Sequence, residues 1–324
     1  MGATSVALVV LCVGGCAVGC VIAMCFAPRQ RLSLSDAGAC GLLHWRRGDA
    51  VMLVVRTLVA VWAVAVLVPL WLEAGAFHMT FFTIWSFTLL AAYFLSAAGA
   101  SAAHLRHKLR ARRPLSSRGA AEGDWVTQSS TVPAAAALAA GETRGSAWAR
   151  FNQLLLTTVA ASALMLDVVL WGLLLPTDPD KLKSAELNFD SYNMHGLNIV
   201  AVTVELALNA IPLRIYDLPT AVLWPVAFSA FTLLRVAADS SIRRCLVENV
   251  GEICKTSRDG LHMVWPYFFM DTSKPFAAAW YAGMALLFVG AYSCLFAIWR
   301  ATKRPVLERA AAATARVVND GSCP

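Results

Sequence analysis

The sequence predicts an all-α polytopic membrane bundle, and three observations carry that expectation. Hydrophobic residues make up 58% of the 324 and charged residues 15%, against about 45–50% and 25% in soluble domains. The apolar residues fall into blocks of about 20 or more, the length a helix needs to cross ~30 Å of hydrocarbon. These blocks are apolar all round and lack the alternation of a barrel strand. Seven blocks qualify as spans, at residues 5–26, 51–72, 81–103, 151–175, 194–213, 218–238 and 276–299.

The first block has no Lys or Arg before it, while Arg29 and Arg31 follow closely. That pattern favours an anchor with its N-terminus outside over a cleaved signal peptide; cleavage would leave six spans. Cys12, Cys16 and Cys20 recur every four residues on one face, beside a Gly15/Gly19 pair, a spacing suited to close helix packing. Residues 28–50 read as a cytoplasmic linker between this block and spans 2 and 3, which occupy 51–103.

Residues 104–150 form a basic loop. Its 104–118 stretch supplies most of the net charge of +7, so the basic excess requires no nucleic acid partner. A cluster of this kind beside a span sets topology and attracts anionic lipid head groups. Beyond Pro114 the loop turns to Ser, Gly and Ala, with low complexity at 133–140, and is expected to be disordered. The orientation follows from the basic residues: with the N-terminus outside, the cytoplasmic segments hold 18 Lys and Arg and the opposite loops hold 7. The C-terminal tail, 300–324, is then cytoplasmic, in an endomembrane or plasma-membrane protein.

Spans 4 to 7 occupy 151–299 and enclose an outer loop at 239–275. Cys245 and Cys254 are the two cysteines of that loop, and an oxidising lumen would favour a disulfide between them. The sequence has neither a Cys-x-x-Cys pair nor His-Glu-x-x-His, so it calls for no metal or cofactor.

Ionisable groups at membrane depth mark functional candidates. On the fifth span, His195, Asn198, Val202, Glu205 and Asn209 are spaced to fall on one face, and four of the five are polar. Such a stripe faces the bundle interior, another protein or water. By helical rise, Thr83, His195, Asn198 and Arg235 lie toward the outer face, with Asp167 deeper and Glu205 near the middle. Arg56 belongs to the other leaflet. Arg235 and Asp167 are thus expected to pair, and Asp167, Glu205, Arg235 and Asn209 to contribute to a polar pocket.

Several short motifs resemble the rolling stone family of multi-pass membrane proteins, implicated in myoblast fusion. They are Phe82-Thr83-Ile84-Trp85-Ser86-Phe87 with Tyr93-Phe94, then His195-Gly196-Leu197-Asn198 and Ile211-Pro212-Leu213-Arg214. Trp265-Pro266-Tyr267, ahead of Asp271 and Lys274-Pro275, completes the series. The resemblance covers roughly residues 51–300. That family is similar in turn to the androgen-induced-protein family of membrane hydrolases, which cleave fatty acid esters of hydroxy fatty acids with an intramembrane Thr and a His.

The resemblance implies Thr83 as nucleophile and places Asn198 where the hydrolases carry their catalytic His. Ester cleavage would then make His195 the base, with Asp167 or Glu205 orienting it and Asn198 donating to the oxyanion. Three functional readings follow. The first is a rolling-stone-like protein with a polar interior pocket for an acyl chain or membrane lipid. The second is a Thr83/His195 hydrolase of an acyl-ester lipid substrate, and the third is a small-solute or proton-coupled transporter.

Overall fold

The computed structural model describes residues 3–26, 48–74, 79–111, 131–177, 189–238, 253–256, 260–263 and 265–309. It is a helical bundle of α1 (Ala3–Phe26), α2 (Gly48–Ala74), α3 (Phe82–Ala111), α4 (Thr131–Val169), α5 (residues 189–208), α6 (Leu218–Ala238) and α7 (Ala277–Thr302). Among the described residues, six of these helices are long and apolar enough to cross a membrane: all but α5. The chain is a multi-pass integral membrane protein. A short antiparallel hairpin, β1 (Ile253–Thr256) with β2 (Gly260–Met263), interrupts the connection between α6 and α7.

The fifth span departs from its expected form. The helix begins at Phe189, passes through a π-helical turn at Tyr192–Leu197, and ends at Leu208. The next residues run extended toward a 3-10 turn at Ile215–Asp217. Pro212 explains the early stop: it has no amide hydrogen to continue the helix, and it disfavours helical backbone at the residue before it. The freed backbone groups find partners. Lys303 Nζ donates to Leu206 O at 2.6 Å, Gln153 Nε2 donates to Pro212 O at 2.7 Å, and the Tyr292 hydroxyl donates to Arg214 O. In lipid such satisfaction is obligatory.

The basic loop also differs from expectation. Helix α3 extends to Ala111, and α4 begins at Thr131, so both ends of the 104–150 segment are helical. The low-complexity stretch at 133–140 is Ala-rich and lies in α4, in keeping with alanine as the strongest helix former. The Cys245–Cys254 pairing falls outside the described residues: Cys245 is not described, and of Cys254 only the backbone is.

Helix α4 is the axis of the bundle. Two thirds of its spanning window (67%) is buried, against 11% in α1 and 17% in α7. One face, with Leu156, Val159, Ala160 and Ala163, packs into a core shared with α2, α3 and α5. The other, with Ala161, Met165, Leu166 and Val169, packs against α6 and α7 and the buried Cys20 of α1. Cys16 joins Cys20 against that core, whereas a Cβ added at Gly15 or Gly19 would meet nothing within 4 Å. The cysteine face of α1 is therefore the packed one, and the glycine stripe is open.

At the end of the bundle opposite Thr83, a buried ion pair joins α2 to α5. Arg56 and Glu205 are both 0% exposed, with Arg56 Nη2 2.6 Å from Glu205 Oε1. Arg56 Nη1 donates to Ser101 Oγ at 2.7 Å, and Tyr93 Oη donates to Glu205 Oε1 at 2.6 Å. Asn209 Nδ2 adds a donor to the same carboxylate at 3.2 Å, and Lys303 Nζ donates to Asn209 Oδ1 at 2.7 Å. Four helices, α2, α3, α5 and α7, thus meet at one knot. Arg56→Met is expected to cost about 3–5 kcal/mol by leaving a buried carboxylate without its cation. The double change Arg56→Met/Glu205→Leu should recover most of that loss, as read by thermal unfolding in detergent.

Candidate active site

Thr83 and His195 come from different helices and meet in one cavity. Thr83 is the second residue of α3, and His195 sits in the π turn of α5. Thr83 Oγ1 lies 3.5 Å from His195 Nε2. That separation is long for a finished hydrogen bond, but ligand-free catalytic pairs commonly tighten when substrate arrives. His195 Nδ1 has no hydrogen-bond partner among the described residues.

Indole side chains fix both ends of the pair. Trp85 Nε1 donates to Met79 O at 2.9 Å, and the Trp85 ring packs on Trp224, Phe228 and Phe231. This holds the first turn of α3 against α6. Trp62 Nε1 donates to Asn193 Oδ1 at 2.8 Å, while Asn193 Nδ2 donates to Phe189 O at 2.7 Å. The start of α5 is thereby tied to α2, two residues from His195. An indole N–H in an apolar setting needs an acceptor, so Trp62 and Trp85 were detectable in the sequence as donors in search of partners. Their acceptors were not.

The cavity has a volume of about 1130 Å³ and lies between the two cores of the bundle. Its wall is mostly aliphatic and aromatic, and α1 contributes Cys12, Val13 and Cys16. Among the described residues that line it, Asp190 is the one with a formal charge. Asp190 lies outside the fifth span expected at 194–213, where a carboxylate carries no signal of a site. Only the fold brings it onto the wall that holds Thr83 and His195.

The first turn of α3, including Phe82, Thr83 and Ile84, also lines the cavity. Amides at a helix start have no intrahelical acceptor and sit at the positive end of the helix dipole. This turn is therefore suited to receive an oxyanion formed beside Thr83.

The remaining expected site residues are placed elsewhere. Asn198 is buried but does not line the cavity, so the oxyanion role inferred for it has no geometric footing. Glu205 and Asn209 belong to the Arg56 knot, ten or more residues along α5 from His195, or about 15 Å of helical rise. Asp167 and Arg235 are half-buried, neither lines the cavity, and no ion pair or hydrogen bond joins them among the described residues. A place in the same leaflet favours the pair, but rotation about each helix axis decides the contact. The inward stripe of α6 runs through Phe228, Thr232 and Val236, and that of α4 through Leu166, Val169 and Leu170, so both charges sit off the facing stripes.

No group of three or more His, Cys, Asp and Glu side chains suited to a metal ion occurs among the described residues. Compared with protein-family models, curated proteins and solved structures, the chain matches none. The function must be argued from the cavity itself. If the indole anchor positions His195, Trp62→Phe is expected to destabilise the protein by about 1–3 kcal/mol, because Asn193 Oδ1 loses its donor. A double-mutant cycle with Asn193→Ala should show strong non-additivity.

Proposed function

We propose that this chain is a rolling-stone-like membrane protein that holds an acyl lipid in its interior cavity and cleaves the ester of that lipid with Thr83 and His195. The observation that carries the reading is the 3.5 Å approach of Thr83 Oγ1 to His195 Nε2 inside an apolar cavity of about 1130 Å³. A large apolar chamber with few polar groups is the usual form of a site for an apolar ligand. A threonine hydroxyl becomes a useful nucleophile only beside a base.

The chemistry runs in two steps. With its proton on Nδ1, His195 accepts the Thr83 hydroxyl proton at Nε2 as Oγ1 attacks the ester carbonyl. The carbonyl oxygen becomes the oxyanion at the first turn of α3, whose unpaired amides stabilise it. Collapse of the tetrahedral species breaks the ester C–O bond, and the leaving alcohol takes the proton from His195. Water then attacks the acyl-threonine and gives a proton to His195; the acyl C–Oγ1 bond breaks, His195 returns the proton to Thr83 Oγ1, and the fatty acid leaves.

The excess of basic residues in the segments assigned to the cytoplasm supports a position of this cavity in the outer or lumenal half of the membrane. One observation supports a second reading, an acyl-lipid carrier without turnover: no side chain among the described residues bonds His195 Nδ1 to orient the ring.

A fluorophosphonate probe separates the two. Hydrolysis requires that the purified protein be labelled, that Thr83→Ala abolish labelling, and that His195→Ala slow it by about 10²–10⁴. Equal labelling of wild type and Thr83→Ala removes Thr83 as nucleophile. Absence of labelling together with retained binding of a fluorescent acyl chain establishes the carrier.

A further inference from the structure

The charge on the cavity wall bears on what kind of lipid fits. Asp190 lines the cavity, no Lys or Arg lines it among the described residues, and no described side chain pairs with the Asp190 carboxylate. Around the same cavity stand Phe81, Tyr267, Phe268, Phe269 and Tyr281. The first four form a connected aromatic surface. Phe81 and Tyr267 meet edge to face at 6.5 Å, Tyr267 stacks on Phe269 at 5.1 Å, and Phe268 meets Phe269 at 5.4 Å. Tyr281 Oη donates to Met270 O at 3.3 Å and holds this segment against α7.

A carboxylate on an otherwise apolar wall repels an anionic head group. Aromatic faces beside a carboxylate attract a weakly hydrated cation, and quaternary ammonium groups are the best-known ligands of such surfaces. A lipid ending in a free carboxylate, as the resembled hydrolases take, would meet Asp190 with like charge and would find no cation on the described wall.

We propose that the cavity selects acyl lipids whose head carries a quaternary ammonium group, with Asp190 and the Phe81–Tyr267–Phe269 rings as the head-group site. The assignment rests on the acyl-lipid reading above and names the head of its ligand. The tail occupies the aliphatic wall of α4, α6 and α7, and the ester lies between tail and head, at the Thr83–His195 pair. A simple choline ester and a lysophospholipid share this chemistry and differ in the phosphate between ester and cation.

The test is competition against a fluorescent acyl chain bound to the full-length protein in uncharged detergent. The Thr83→Ala form is used, so that no ester is turned over. The competitors share one oleoyl chain: oleoylcholine, oleoyl-lysophosphatidylcholine, monooleoylglycerol and oleate. Oleoylcholine is expected to displace the probe at about tenfold lower concentration than oleate, and Asp190→Asn to reduce that advantage to about threefold or less. Asp190→Glu, which keeps the charge, should retain most of it.

Lysophosphatidylcholine matching oleoylcholine supports the assignment with a phospholipid head, and a weaker lysophosphatidylcholine supports it with a simple ammonium ester. Oleate binding as well as oleoylcholine overturns the head-group assignment alone, as does an advantage unchanged in Asp190→Asn, because the probe still binds in both cases. Failure of the probe to bind overturns the acyl-lipid reading and this assignment together.

Discussion

The arrangement of the site depends on one buried contact, the Arg56–Glu205 ion pair. Two charges taken wholly out of water and lipid are tolerated only when every remaining lone pair and proton finds a partner. Here Ser101 and Ala97 O accept from Arg56, while Tyr93 and Asn209 donate to Glu205. Turning α5 about its axis would pull Glu205 and Asn209 away from these partners. The lipid-facing side of α5 carries Leu197, Val200 and Val204, which pack equally well in several orientations and specify none of them. The knot fixes the helix at one end and Trp62–Asn193 fixes it at the other. With both ends held, His195 has one position relative to Thr83, and the 3.5 Å approach follows from the frame.

This division of labour separates the polar stripe of α5 into two unconnected parts. His195 faces the cavity, Glu205 and Asn209 face the knot, and the buried apolar Val202 stands between them. A transport path would need titratable groups in sequence along a route. Instead Glu205 is fully paired, and Asp167 and Arg235 lie off the cavity wall. The stripe therefore reads as one structural anchor and one chemical site that share a helix.

Much of this was legible in the sequence, for a physical reason. Lipid leaves few solutions, so long apolar blocks become helices; five of the six expected spans besides the first appear close to their expected limits or extended, and the sixth, 194–213, stops at Leu208 ahead of Pro212. The inward turn of Asn198, Val202, Glu205 and Asn209 was legible too, because polar groups avoid acyl chains. Depth along each helix could be counted from rise per residue, and this brought Thr83 and His195 to one level. Rotation could not be counted, and so the Arg235–Asp167 pair was expected and Arg56–Glu205 was not. Asp190 shows the same limit from the other side. Its neighbours on the wall, Tyr267 to Phe269, come from a distant connection, and no local pattern joins them to it.

The cavity exists because several helices are deformed around it. Pro69 lies inside α2 next to the lining residue Leu70, and Pro225 lies inside α6 and lines the wall. A π turn at Leu170–Leu174 continues α4, and another at Tyr192–Leu197 holds His195. Regular helices pack ridge into groove and leave little space, whereas a proline or a π turn tilts the following segment and opens a gap. Each deformation also frees a backbone group, which lipid cannot satisfy. Leu170 and Met194 turn the two π turns toward the interior, while Trp171, Tyr192 and Leu197 stay exposed on their outer sides. Pro69 and the two π turns lie toward the Thr83 end of the bundle, whereas the break in α5 lies beside the Arg56 knot, where Lys303, Gln153 and Tyr292 donate to the freed carbonyls.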